Sequence, residues 1–297
     1  MGLKDMLMKR SEKERLAFIE RCIEWDTPRL ENEQYPDGVS VSQDIVYDAS
    51  TGSNGLLDIY FPGGEKDHFE EAFFLIHGGA FVYGNKELDK NYGMHLALKA
   101  NIPVVNINYT LMPDKDLAGE AEEICRALSF LHKTYGLEKI HTTGDSAGAY
   151  LALLTVFLCN DPKVREDLKI KTVPEVRCFS TGLICGGFLR NKNRFPGIYM
   201  DKNGSMPDYL MDLGKATVLS FGRTNSIPVS IITGDKDSML RDCDYYKKVL
   251  DKAGIANSYY KAVSAEDRVM FHVFPIAVPT WPESQKVIDM FVKNAGL

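Results

Sequence analysis

Ser146 stands between two glycines in Gly144-Asp145-Ser146-Ala147-Gly148, after a strand-like stretch at 138–143 and before an apolar, helix-forming run at 147–159. A serine on a tight strand-to-helix turn presents its hydroxyl above a sheet, and glycines two residues to either side leave room for that turn. The chemistry served would be nucleophilic attack. Such a pentapeptide arises by chance in roughly one of ten chains of this length, so its context carries more weight than its spacing. A serine hydroxyl is a poor nucleophile near neutral pH, so it needs a base, an acid to orient that base, and donors for a developing oxyanion.

In a parallel α/β sheet these groups must lie at the carboxyl ends of strands, where loops converge on one crevice. For the donors, His77-Gly78-Gly79-Ala80-Phe81 follows the apolar stretch Phe73-Phe74-Leu75-Ile76. Alone it would read as a plain Gly-Gly turn; beside the serine turn, Gly78 and Gly79 become candidates to aim backbone N–H groups at a substrate oxygen. The N–H of Ala147, at the positive end of the next helix, is the other candidate. For the acid, an apolar strand at 228–234 ends at Asp235-Lys236-Asp237. Either aspartate could instead cap the helix beginning near Met239; Asp237 is the leading candidate, and Asp242 is expected inside that helix, facing solvent.

For the base there are six histidines. His68 sits in a polar loop, His95 and His132 in helical segments, His141 inside a strand as a satisfied core residue, and His77 in the glycine turn. His272 follows a strand and a polar loop, precedes the last helix, and comes after Ser146 and Asp237 in the chain. Ser, then Asp, then His is the order used by architectures built on such a turn.

The elements that must hold these residues read as an α/β alternation. Strands are expected at 44–48, 56–60, 72–77, 103–108, 138–143, 176–181, 228–233 and 258–263, and helices near 88–100, 117–135, 147–159, 239–253 and 282–295. Ser53-Asn54-Gly55 joins the first two strands as a hairpin. The rest implies parallel strands with crossovers, giving a doubly wound sheet with an antiparallel start. Residues 1–45 are charged and helical in texture, read as one or two helices that either pack on the core or form a lid. Residues 186–226, rich in glycine, asparagine and proline, break the rhythm and read as an inserted cap, within a catalytic domain spanning 46–297.

A chain of 297 residues with 44% hydrophobic and 26% charged residues is an ordinary globular composition, and a net charge of −6 gives no electrostatic reason to expect nucleic acid. The N-terminal segment lacks a secretory apolar core, and the run at 147–159 is too short to span a bilayer, so the expectation is a cytoplasmic protein without a membrane partner. Six scattered cysteines with no C-x-x-C spacing read as reduced core residues, and the histidines lack metal-ligand spacing, so no metal site is expected.

At His77-Gly78-Gly79-Ala80 and Gly144-Asp145-Ser146-Ala147-Gly148 the chain resembles the hormone-sensitive-lipase-like, or bacterial type IV, esterases of the α/β-hydrolase fold. Asn108-Tyr109-Thr110-Leu111-Met112-Pro113-Asp114 resembles the family's D-Y-R-L-A-P-E stretch but departs from it at four positions. Asp237-Ser238-Met239-Leu240-Arg241-Asp242 resembles its acid loop with one extra residue, which keeps Asp235 in contention, and Phe271-His272-Val273-Phe274 resembles its histidine loop.

The resemblance implies a mostly parallel eight-stranded sheet with a helical cap. It also implies a serine esterase for short acyl chains, acetyl to butyryl, working without a cofactor on a small-molecule ester. Ser146, Asp237 and His272 would be catalytic, with Gly78, Gly79 and Ala147 as oxyanion donors. An amidase or peptidase of the same fold, or a non-catalytic ligand-binding relative, are the competing readings. Edge strands of such sheets often pair or pack in dimers, so a homodimer is among the expectations, with no surface identified.

Overall fold

The computed structural model describes residues 3–189 and 207–297. The chain opens on α1 (Leu3–Glu31), then forms β1 (Val39–Val46), β2 (Leu56–Pro62), β3 (Glu71–Ile76), α2 (Lys90–Ala100), β4 (Val104–Ile107), α3 (Leu117–Tyr135), β5 (Lys139–Asp145) and α4 (Ala147–Asn160). It continues through α5 (Pro162–Leu168), β6 (Arg177–Ile184), α6 (Leu213–Arg223), β7 (Val229–Gly234), α7 (Leu240–Lys252), β8 (Asn257–Ala262), α8 (Phe274–Ala277) and α9 (Pro282–Ala295).

Among the described residues the strands form one eight-stranded sheet in the order β1-β2-β4-β3-β5-β6-β7-β8. β2 runs antiparallel to both β1 and β4, and every other pairing is parallel. Period-two alternation sends side chains to two cores. Ile59, Phe74, Ile76, Val105, Ile140, Leu183 and Ile231 meet one apolar cluster with α3, α4, α6 and α7. Tyr60, Phe73, Leu75, Val104, Ile184 and Ile232 meet the other with α2, α8 and α9. α4 is buried along 147–158, which is why its sequence is apolar all round rather than on one stripe.

The expected hairpin between the first strands is present, but a 3-10 segment, Ala49–Gly55, closes it, capped by Asp48, which accepts from the N–H of Ser50. β1 begins at Val39, earlier than the expected 44, because its pairing slips between Ser42 and Ile45, where Asp44 takes φ 57° and breaks the alternation. The N-terminal segment forms a single 29-residue helix that continues through Pro28. Of the 186–226 segment expected as a cap, residues 190–206, with Phe195 and Tyr199, lie outside the described residues. Its C-terminal part forms α6, whose Leu213, Ala216 and Phe221 are buried in the core. Asp242 lies in α7 as expected but is buried, 5% exposed, which corrects the solvent-facing reading: it stands in the first turn of a helix that packs against β7 and β8.

Candidate active site

Ser146 occupies the turn between β5 and α4 with φ 51° and ψ −112°, a conformation that non-glycine residues adopt only when their surroundings enforce it. Its N–H donates to the Ile184 carbonyl of β6 at 2.8 Å, tying the turn to the neighbouring strand. Gly144 is required there, since a Cβ at that position would stand 2.4 Å from the Ile76 carbonyl oxygen.

His272 reaches Ser146 from the loop before α8. Its Nε2 is 3.0 Å from Ser146 Oγ and its Nδ1 is 2.7 Å from Asp237 Oδ1. Asp237 and His272, 35 positions apart in sequence, meet because Lys236 pairs with Phe271 in a parallel bridge, which sets the next residues side by side beyond the end of β7. The side chain of Asp237 is fully buried while that of His272 keeps 32% exposure. Oδ1 also accepts the Met239 N–H at 2.9 Å, and Oδ2 accepts the Thr233 hydroxyl at 2.7 Å. Burial alone would raise this acid, but hydrogen bonding and charge from His272, with the Met239 and Thr233 donors, hold it below the usual carboxylate range.

Asp235 takes no part in this contact. Its Oδ1 accepts from the backbone and hydroxyl of Ser264, at 3.1 and 2.5 Å. The other histidines are also engaged elsewhere or apart. His141 bridges Ser180 and Glu71, at 2.7 and 3.1 Å, and His132 bonds the Leu137 carbonyl. His77 is buried, stacks on Tyr109 with centroids 4.4 Å apart, and bonds the Gly78 carbonyl through Nδ1. Desolvation lowers its pKa to about 4, so it is neutral across the physiological range.

The three expected oxyanion donors divide. The Gly78 N–H is committed to Asp145 Oδ1 at 2.8 Å and is not available to a substrate. The N–H groups of Gly79, Ala80 and Ala147 have no hydrogen-bond acceptor among the described residues. Ala147 is the first residue of α4, where helix geometry leaves its N–H unpaired, and Gly79 and Ala80 line the pocket beside Ser146. The stretch 108–114 braces this loop: Tyr109 Oη donates to the His77 carbonyl at 2.9 Å and Met112 N–H to that of Phe81 at 2.8 Å.

Ser146 and His272 open into a cavity of about 560 Å³. One wall is α1, which contributes Phe18, Arg21, Cys22, Trp25, Asp26 and Arg29; Met239, Phe271 and Ile276 supply apolar surface opposite. Trp25 meets Phe271 edge-to-face at 5.8 Å, and Arg29 reaches the Leu88 carbonyl at 3.1 Å, so the helix is fastened to both sides of the opening. The spacing 18, 22, 25, 29 is one helical face, a signal present in the sequence but masked by the charges between those positions.

Thr233 and Cys185 are neighbours that sequence reasoning did not reach. Cys185, just past β6 and fully buried, places its sulfur so that one ligand atom each from Cys185, Asp237 and His272 lies within 4.8 Å of the others. Asp237 and His272 are already engaged with one another, and Cys185 is protonated, its pKa pushed well up by burial. The cysteines are all unpaired thiols, four of the six buried.

The sheet order, the antiparallel start and a serine on the turn after β5 are those of the α/β-hydrolase fold. Within it, residues 57–188, from β2 to just beyond β6, match the model of the BD-FAE family. Similar solved structures span nearly the whole chain. Esterase B of Lactobacillus rhamnosus, inhibited by a C4-C4 SN3 tributyrin phosphonate, has TM-score 0.85 and 22% identity over 97% of this chain and 96% of its own. An esterase of the bacterial hormone-sensitive lipase family has TM-score 0.67 and 18% identity over 90% and 86%. Esterase LipW of Mycobacterium marinum has TM-score 0.68 and 18% identity over 97% and 89%. Among the described residues no helix is long and apolar enough to cross a membrane.

Proposed function

We propose that the protein is a serine esterase that hydrolyses short-chain acyl esters, acetyl to butyryl, through an acyl-enzyme. The observation that carries the reading is the unbroken hydrogen-bonded line from Ser146 Oγ through His272 to Asp237, opening on a pocket edged by unpaired N–H groups. His272 Nε2 takes the hydroxyl proton as Ser146 Oγ attacks the ester carbonyl. Asp237 holds Nδ1–H toward itself and stabilises the imidazolium that forms. The N–H groups of Gly79 and Ala147, with Ala80 alongside, receive the oxyanion. His272 then gives its proton to the leaving alcohol, and a water molecule, deprotonated by the same nitrogen, releases the acid and restores Ser146. These side chains complete the cycle without a cofactor.

The short-chain preference is supported by the bounded cavity under α1 and by the tributyrin phosphonate that inhibits esterase B. In this reading α1 is the cap, and the ester is a small molecule handled in the cytoplasm. The test is hydrolysis of p-nitrophenyl esters from acetate to decanoate by the wild-type chain and by Ser146→Ala. Turnover highest for acetate to butyrate and lost in the variant supports the proposal. Turnover that survives in Ser146→Ala, or activity confined to matched anilides, overturns it.

A further inference from the structure

Asp145, the residue before Ser146, is 5% exposed, and Asp89, immediately before α2, is 1% exposed. Both carboxyl groups line the same pocket and lie close enough to act on each other's charge. Asp145 Oδ1 accepts the Gly78 N–H, and its Oδ2 stands so near that a Cβ on Gly78 would be 2.4 Å from it. Asp89 Oδ2 has no partner among the described residues. Two carboxylates this close and removed from water cannot both stay ionised, because repulsion adds to lost solvation. One of them holds a proton. Gly78 can only donate, so the oxygen facing it gains from negative charge, and the hydroxyl belongs on the other acid.

We propose that Asp89 is a positioning residue: in its acid form it donates to the Asp145 carboxylate, and the pair clamps Gly78 so that the following N–H groups face Ser146. This rests on the esterase reading of the site. The surroundings agree with the assignment. Burial and the neighbouring Asp145 push Asp89 well above the carboxylate range, whereas Asp145 is raised by burial only to about 6. The charged groups facing the pair are Arg29 and Asp26 of α1 and His272, with the phenols of Tyr92 and Tyr109 also close. Arg29 lowers both acids through its charge, but its ion pairs are with Asp26 and Glu33, at 3.0 and 2.7 Å, and burial with mutual repulsion prevails.

The experiment compares Asp89→Asn and Asp89→Leu in the full chain, measuring kcat and KM on p-nitrophenyl butyrate and inhibition by butylboronic acid, which forms a tetrahedral adduct on serine. An asparagine amide donates as the acid form does, so Asp89→Asn should stay within about threefold of the wild-type kcat. Asp89→Leu leaves Asp145 without its donor. It should lose on the order of 10- to 100-fold in kcat, comparable to weakening one oxyanion contact, with KM within about twofold and boronate affinity reduced by the same factor as kcat. Equal losses in both variants, or full kcat in Asp89→Leu, overturn the proposal. Infrared spectroscopy gives a readout independent of turnover: a buried carboxylic-acid carbonyl band at neutral pH, present in the wild type and lost in Asp89→Asn. Its absence from the wild type overturns the shared proton even if ester hydrolysis holds. Its presence with no ester turnover keeps the protonated pair and overturns the esterase role on which its positioning function depends.

Discussion

Gly148 faces the backbone of Ile76 so closely that a Cβ there would stand 2.0 Å from the Ile76 carbonyl oxygen and 2.6 Å from that of His77. α4 therefore enters the sheet pressed against the strand that leads into the 77–81 loop, and the two turns share one backbone contact. Backbone cannot yield as a side chain can. Gly148→Ala should destabilise the protein by about 3 kcal/mol or more and abolish turnover, read by urea unfolding and ester hydrolysis. Gly222→Ala in α6 is the contrast. Nothing lies within 4 Å of its Cβ position, so it should be neutral or gain about 0.5–1 kcal/mol from helix propensity.

The Ser146–His272 contact at 3.0 Å makes the two side chains one unit in the proposed mechanism. Ser146→Ala and His272→Ala should each lower kcat by on the order of 10⁴, and the double variant should lose little more than either alone. Steady-state kinetics on one ester decides this. Losses that multiply would mean the two act independently.

Asp237 and Asp235 differ by two positions in sequence, yet one meets His272 and the other Ser264. Asp237→Asn keeps the shape but offers Nδ1 an amide in place of a carboxylate, so kcat should fall by about 10³ to 10⁴. Asp235→Asn should change kcat by less than about threefold, its effect limited to the 264 loop. The reverse ranking in kcat would assign the acid to Asp235.

What the sequence made legible follows from where the information is local. The central strands carry apolar runs closed by turn residues, and their ends locate Ser146, Asp237 and His272 because a parallel sheet gathers its functional loops at one edge. Matters settled by distant contacts were not readable. The Gly78 N–H looked available because its acceptor, Asp145, lies 67 residues away and is fixed only when β3 and β5 pair. Asp89, Thr233 and Cys185 carry no motif of their own. β1 was placed too late because the irregularity at Asp44 breaks its period, and Asp242 was misplaced because helix faces near a cap depend on packing rather than on charge.

His77 provides a pH test. In the unfolded chain its imidazole protonates as pH falls through about 6.5, whereas in the folded protein burial delays protonation to about 4. Between these values the unfolded state binds the extra proton, so acidification favours unfolding, and this contribution to stability is present above pH 6.5 and lost on the way down to 4. The full difference corresponds to about 3 kcal/mol. Asp145 and Asp89 work in the opposite sense: Asp145, raised to about 6, and Asp89, raised well above the carboxylate range, hold protons in the fold that the unfolded chain has released, so between pH 6.5 and 4.5 they offset or exceed the loss from His77. Replacing His77 by asparagine isolates the two. The variant starts less stable at pH 7 through the lost stacking on Tyr109, but should lose less on acidification than the wild type, or even gain. Urea unfolding midpoints for both proteins at pH 7 and pH 4.5 measure this difference. An identical acid-induced change in the two proteins would mean that His77 protonates in the fold over the same pH range as in the unfolded chain, incompatible with its fully buried position.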